Sequence, residues 1–348
     1  MKKKIVVGIT QGDGNGIGYE IIIKALSNSN ILEICTPIVF GSLKLMTFYK
    51  KRMGRYDSLS FNLIVDAKEA NPQKLNFINC IPEEFIAEPG KESRDGAKGA
   101  IYSLERGVEE LKNNGIDLLV TAPFNKGAIN REGFSFAGHT EYLTQQFGSG
   151  GSLMMMVSED IKIAMATNHI PLEQVAKRVD KELLYQKLSL LFHSLREDFA
   201  IDRPKVALLA LNPHAGENGL LGNEEEEILV PVVREFFERG ELLFGPFAAD
   251  GFFAHSSYIN YDAVMALYHD QALIPFKILS RERGVNFTAG LPIVRCSPDH
   301  GTAFDLAGKG EASHHSMLAA IFTACDIFEK REEYRQLKSN PIKGDAIE

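Results

Sequence analysis

Short hydrophobic runs alternate with stretches of helical spacing along most of this chain, the pattern expected of α/β layers. Residues 4–10 form one such run and predict a buried strand. Residues 16–26 follow with Ile17, Ile21 and Ala25 on one helical face, so the chain opens on strand, glycine loop, helix. Residues 36–42, 62–67 and 75–80 predict further strands. Ile101, Leu104, Val108 and Leu111 mark a helix that ends at Asn113, Asn114 and Gly115, and residues 116–121 predict the parallel strand it feeds. Residues 152–157 and 161–167, joined by Ser158, Glu159 and Asp160, predict a hairpin and hence a mixed sheet. Helical spacing returns over 183–195, a strand over 206–211, and a helix over 224–238 with an acidic first turn suited to its dipole. Pro231 either kinks that helix or marks its true start. An amphipathic helix over 317–329 closes the pattern, and the polar residues 330–348 are expected to fray.

With 348 residues and 45% hydrophobic content, the chain can fill two cores. A formal net charge of -8 argues against a nucleic-acid or anionic membrane partner, so any anion-binding cations must be locally concentrated. Cys35, Cys80, Cys296 and Cys325 lie far apart, mostly in apolar runs, and read as buried thiols. The apolar run after the initial lysines stops at Gly8, unlike a signal peptide, and no stretch reaches the ~20 apolar residues of a membrane helix. Cytoplasmic location is the expectation.

Chemistry concentrates between Ala263 and Gly310. The run 263–268 breaks at His269 and Asp270, as a parallel strand does where its carboxyl end meets a ligand crevice. Lys277, Asn286 and Arg295 follow in apolar or glycine-punctuated surroundings, where a cation is costly unless an anion pairs with it. In residues 299–310, glycines and small residues allow close backbone approach to a flat or phosphorylated ligand. Three apolar runs each deliver one histidine at or beyond the strand end: His169, His214 and His269. Parallel strands would gather them, and three imidazoles with open positions describe a catalytic divalent-metal site. The loop 11–20 is glycine-rich but lacks the acidic residue that a Rossmann fingerprint places after the second strand. Asp13 and the following helix start can cradle an anion or sugar hydroxyl, or the glycines serve only a tight turn. Residues 121–143 hold Lys126, His139 and Thr140 either as binding groups or as a solvated lysine and a helix cap. Asp250 is either a general base or the start of a turn.

The segments GDGNGIGYE, TAPFNKGAINREGFSFAGHTEYL, ATNHIPL, LNPHAGENGLLGNEE, YHDQALIPFK, RGVNFTAGLPIVRCSPDHGTA and LAGKGEA resemble, in order, the 4-hydroxythreonine-4-phosphate dehydrogenases of vitamin B6 biosynthesis. HGTAFDLAGKGEA and the first glycine loop also look like cofactor-side segments of the wider isocitrate and isopropylmalate dehydrogenase superfamily. The resemblance implies two α/β/α domains with mixed sheets and a cleft between them: residues 1–125 with 300–348 on the cofactor side, and residues 126–299 carrying metal, substrate and dimer contacts. It implies that His169, His214 and His269 hold zinc, magnesium, cobalt or manganese, that His139, Thr140, Lys277, Asn286 and Arg295 contact substrate, and that Asp13, His300, Gly301 and Thr302 lie on the NAD or NADP side. It also implies a homodimer with a shared active site. Gly14, Asn15, Tyr19 and Asn125 depart from the family's usual residues.

The implied reaction is metal-dependent oxidation of 4-phosphohydroxy-L-threonine to a β-keto acid that decarboxylates to 3-amino-2-oxopropyl phosphate, with Asp250 the candidate for proton transfer. Related dehydrogenases act on phosphorylated threonate or erythronate. A three-histidine metal hydrolase, an acyl-phosphate transferase of the same broad fold and a binding protein are the other classes weighed; none of them accounts for both the histidines and the 299–310 segment.

Overall fold

The computed structural model describes residues 4–339 except Ala87, Ala137 and Ser149. Its first elements are β1 (Ile5–Thr10), α1 (Gly18–Leu26), α2 (Ile31–Ile34), β2 (Cys35–Gly41), α3 (Leu43–Met53), β3 (Phe61–Leu63), β4 (Leu75–Asn79) and α4 (Arg94–Lys112). Then come β5 (Leu118–Thr121), α5 (Lys126–Arg131), α6 (His139–Phe147), β6 (Leu153–Val157), β7 (Lys162–Met165), α7 (Leu172–Arg178), α8 (Lys181–Glu197) and β8 (Lys205–Leu209). The chain continues through α9 (Val230–Glu238), β9 (Leu242–Phe247), α10 (Ala249–Ala254), β10 (Ala263–Ala266), α11 (His269–Ser280), β11 (Val285–Ala289), β12 (Arg295–Pro298) and α12 (His315–Ser339). Contacts divide it into two compact units: Met1–Asp160 with Phe276–Cys325, and Ile161–Pro275 with Asp326–Glu348. The border expected after residue 125 falls inside the first unit, where α4 packs on α5 and both Phe134 and Leu143 belong to the core around Leu104 and Leu119.

In the first unit the strands run in the order β3-β4-β2-β1-β5-β12-β11-β6. Every pair from β3 to β12 is parallel, whereas β11 is antiparallel to both β12 and β6, so the sheet is mixed as expected. Strand β2 is buried along its whole length, which is why its sequence is a continuous apolar run and not an alternation. Helix α4 begins earlier than its apolar spacing suggests. The Ser93 hydroxyl caps it by accepting the Gly96 N–H at 3.1 Å, and its first turns bury Gly96, Ala97, Gly99 and Ala100. A Cβ on Gly96 would lie 2.5 Å from Asp13 Oδ1, so this face must be small for the helix to approach the loop after β1.

The second unit contains the all-parallel order β7-β10-β8-β9. The two strands expected as a hairpin both form, and the antiparallel partner described for β6 is β11. Helix α8 buries Leu184, Leu188, Leu191 and Leu195 along one face, and the Asp180 carboxylate caps it through the Leu183 N–H at 2.8 Å. Both readings of Pro231 hold in part. Glu225–Leu229 forms a π-helical turn, and α9 starts with Pro231 in its first turn, where a missing N–H breaks no α-helical bond. The fraying expected of residues 330–348 is corrected as far as Ser339, to which α12 stays helical, while residues 340–348 lie outside the described residues. Arg331 supplies the reason: it is buried and donates from Nη2 to Asp198 Oδ1 at 2.6 Å and from Nε at 2.7 Å. All four cysteines are free thiols, with Cys80 alone only partly buried.

Candidate active site

In the second unit, three neighbouring parallel strand ends are tied side by side. The Thr167 hydroxyl, beyond β7, donates to the Leu267 carbonyl at 2.7 Å. Gln271 spans the next gap: its Oε1 accepts the Leu267 N–H at 2.7 Å and its Nε2 donates to the Ala210 carbonyl at 2.7 Å. His169 and His269 therefore emerge from locked ends of β7 and β10, with ring centroids 5.7 Å apart. Two imidazoles sharing one tetrahedral ion at ~2.1 Å hold their centroids about 5 Å apart, so this pair fits a common metal. His269 Nδ1 lies 2.6 Å from Asp270 Oδ1, so Nε2 is the ring nitrogen that this contact does not engage. His214 follows the adjacent strand β8 on a strained segment, with φ of 53° at His214 and 52° at Ala215. The buried Glu225 carboxylate anchors that segment by accepting the Leu211 and Asn212 N–H groups at 2.8 Å each. The topology places the three strands together, but among the described residues no three His, Cys, Asp or Glu side chains are arranged to hold an ion. Asp250 is exposed in the first turn of α10 and makes no side-chain hydrogen bond among the described residues.

The first unit gathers most of the residues expected to meet substrate. Antiparallel register pairs Asn286 of β11 with Ser297 of β12, and alternation then puts Asn286, Thr288 and Arg295 on one face of the sheet. Arg295 is buried, and its guanidinium donates to Thr121 Oγ1 from Nε (3.0 Å) and Nη2 (2.7 Å) and to Thr288 Oγ1 from Nη1 (3.2 Å). Among the described residues it forms no ion pair, and burial lowers its pKa to about 10. Thr288 Oγ1 also lies 3.4 Å from Thr140 Oγ1 in the first turn of α6. Beside Thr140, His139 stacks on Phe124 at 3.8 Å between centroids. Burial, then the charges of Arg295 and Lys126, hold its imidazole well below the usual histidine range, so it is neutral at pH 7. Asn286 Oδ1 is a buried acceptor with no hydrogen-bond partner. Lys277 differs from expectation: it is exposed on α11, so the argument from a buried cation applies to Arg295 and not to it.

Of the residues assigned to the cofactor side, Thr302 meets the loop that follows Asp13. Asp13 has no exposed surface; its Oδ1 accepts the Asn15 N–H at 2.9 Å while Oδ2 has no partner. Burial pushes this carboxyl up to about 6. The Thr302 carbonyl accepts the Ile17 N–H at 3.0 Å, and a Cβ on Gly16 would lie 2.7 Å from that oxygen. His300 Nε2 is buried without a partner, while Gly301 is exposed with open space where a Cβ would stand. The glycines further on have a different role from the one expected. Gly308 and Gly310 give their N–H groups to the buried Glu20 carboxylate of α1, so these backbone donors serve the fold and are not offered to a ligand. Two of the departures from the family pattern are built into this region. Asn15 Oδ1 accepts the Glu88 N–H at 2.7 Å, and Tyr19 Oη donates to the Ser42 carbonyl at 3.1 Å. Asn125 caps α5 through the Ala128 N–H at 2.9 Å.

Thr121, Thr288, Thr167 and Gln271 escaped the sequence reading because threonine is an ordinary strand residue and Gln271 has no motif of its own. The one available signal was period two: Asn286, Thr288 and, across the turn, Arg295 interrupt strands that are otherwise apolar.

A family model described as pyridoxal phosphate biosynthetic protein PdxA matches residues 33–324. The chain is 45% identical over its whole length to a 4-hydroxythreonine-4-phosphate dehydrogenase of Bacteroides thetaiotaomicron, covering 95% of it. It is 37% identical to a D-threonate 4-phosphate dehydrogenase of Cupriavidus necator, over 94% of this chain and 98% of that protein. The crystal structure of a 4-hydroxythreonine-4-phosphate dehydrogenase from Klebsiella pneumoniae superposes with a TM-score of 0.82 at 32% identity, covering 93% of this chain and 98% of that one.

Proposed function

The chain belongs to the PdxA family of pyridoxal phosphate biosynthetic proteins, and from that premise we propose that it oxidises 4-phosphohydroxy-L-threonine with NAD or NADP. The substrate's secondary alcohol gives a hydride to the nicotinamide and a proton to the medium. The resulting β-keto acid loses carbon dioxide and leaves 3-amino-2-oxopropyl phosphate.

The observation that carries this reading is the buried, unpaired Arg295. Such a cation is costly in an empty fold and favourable once an anionic ester or carboxylate arrives. Thr140 adds a hydroxyl donor, and neutral His139 adds an N–H donor without repelling Arg295. Asn286 Oδ1 provides an acceptor for the substrate's amine or hydroxyl protons. Asp13 Oδ2 fits a ribose hydroxyl of the dinucleotide, because it is a buried acceptor in want of a donor. His169 and His269, whose rings lie 5.7 Å apart, are the pair that would hold a divalent ion, with His214 on the neighbouring strand end the third ligand that the family resemblance implies; nitrogen donors favour a transition ion such as zinc, cobalt or manganese over magnesium. Such an ion supplies Lewis-acid polarisation of a substrate oxygen. The active form is a homodimer with a shared site, a reading that rests on the family.

D-threonate 4-phosphate is the second substrate to consider, because a relative of that name matches almost the whole chain. Initial rates of nicotinamide reduction with each phosphorylated acid, using wild type and Arg295→Met, separate the two. The expected result is turnover of 4-phosphohydroxy-L-threonine and at least a hundredfold loss of kcat/KM in the variant, roughly the value of a charge-assisted bidentate contact. Turnover of the threonate alone would contradict the assignment.

A further inference from the structure

Two arginines are buried to the same 3% exposure and are held in opposite ways. Arg331 faces the Asp198 carboxylate, so its charge is cancelled inside the protein. Arg295 donates its hydrogen bonds to hydroxyls, and the Glu141 carboxylate acts on it without forming an ion pair among the described residues. Thr121 Oγ1 accepts two of its N–H donors and Thr288 Oγ1 a third, which leaves two of the five donors of a guanidinium without a partner among the described residues. Both threonines have no exposed surface, so solvent contributes nothing to this orientation. We propose that Thr121 and Thr288 are positioning residues: they fix the Arg295 fork by neutral acceptors, which keeps its positive charge whole for the phosphate or carboxylate of the ligand.

Thr288 has a second task within the same arrangement. Its hydroxyl also reaches Thr140 at 3.4 Å, so one side chain sets both the cation and the neighbouring hydroxyl donor. Position on the sheet explains how: Thr288 stands two residues from Asn286 on the same face of β11 and is paired with Met154 of β6. A carboxylate at either threonine would satisfy the guanidinium better and would remove its attraction for an anion. This inference rests on the reading of Arg295 as an anion-binding group and adds which residues make it one.

The test measures binding of inorganic phosphate to the full-length protein by calorimetry, beside KM and kcat for 4-phosphohydroxy-L-threonine, in wild type, Thr288→Val, Thr288→Ser and Thr288→Asp. Valine keeps the shape but not the acceptor, so phosphate affinity should fall and KM rise by about tenfold or more while kcat stays within about twofold. Serine should restore both to within about twofold of wild type, and aspartate should abolish phosphate binding in a folded protein. If Thr288→Val does not fold, Thr121→Val carries the same expectation. Wild type that binds no phosphate, a valine variant with unchanged affinity, or an aspartate variant that binds normally would overturn the proposal. Phosphate binding that follows the pattern in a protein without turnover would uphold the positioning role and remove the assigned reaction instead.

Discussion

Asp13 costs the fold stability at neutral pH. Its carboxyl has a pKa of 3.8 in the unfolded chain and about 6 in the folded one, so the folded state binds the proton more tightly. Above pH 6 that preference is a penalty of roughly 3 kcal/mol; it shrinks as pH falls through 6 and is gone below 3.8. Asp13→Asn keeps the acceptor for the Asn15 N–H and removes the charge. Urea unfolding should find this variant about 2–3 kcal/mol more stable than wild type at pH 8, with the difference vanishing towards pH 4, and dinucleotide affinity should drop. A gain of the same size at both pH values would show that charge is not the cause. His139 is displaced the other way and for the same first reason, burial. A depressed imidazole stays neutral where the unfolded chain would take a proton, so its contribution to stability is lost as pH falls below the ordinary histidine value of ~6.5.

Among the elements, α12 shows how the end of a polar helix can be tied down by a buried ion pair. Arg331 and Asp198 are 3% and 2% exposed, and Ser194 Oγ donates to the other carboxylate oxygen at 2.6 Å. Arg331→Met leaves that carboxylate buried and unpaired and should cost about 3–5 kcal/mol in chemical denaturation, while adding Asp198→Leu should recover most of the loss. A single variant within about 1 kcal/mol of wild type would show the pair to be dispensable. Elements of this kind set the limit on what the sequence reveals. Strands β1, β2, β4 and β10 were legible because burial on both faces makes them continuous apolar runs. Strands β11 and β12 were not, since the residues that break their pattern, Asn286, Thr288 and Arg295, are the candidate site itself. The early turns of α4 were hidden by their small residues, and α3 by the charged stretch Lys50, Lys51, Arg52 that ends it. The three histidines were legible as strand-end residues, whereas the side chains that tie those ends together, Thr167 and Gln271, carry no signal outside the fold.

For the whole molecule, one unit carries the buried Arg295 with its threonine partners and the glycine loop, and the other carries the strand-end histidines. No helix among the described residues is long and apolar enough to cross a membrane. Oxidative decarboxylation is the reading that family membership supports, and it is the central claim. Its most direct measurement is the stoichiometry of reduced nicotinamide and carbon dioxide formed from 4-phosphohydroxy-L-threonine, with and without a chelator, in wild type and in His169→Ala, His214→Ala and His269→Ala. One equivalent of each product per substrate is predicted, lost on chelation, restored by zinc, cobalt or manganese in wild type, and absent in every histidine variant whose phosphate binding is intact. Undiminished product formation in the chelated enzyme or in any one of these variants, or nicotinamide reduction without carbon dioxide, would contradict it.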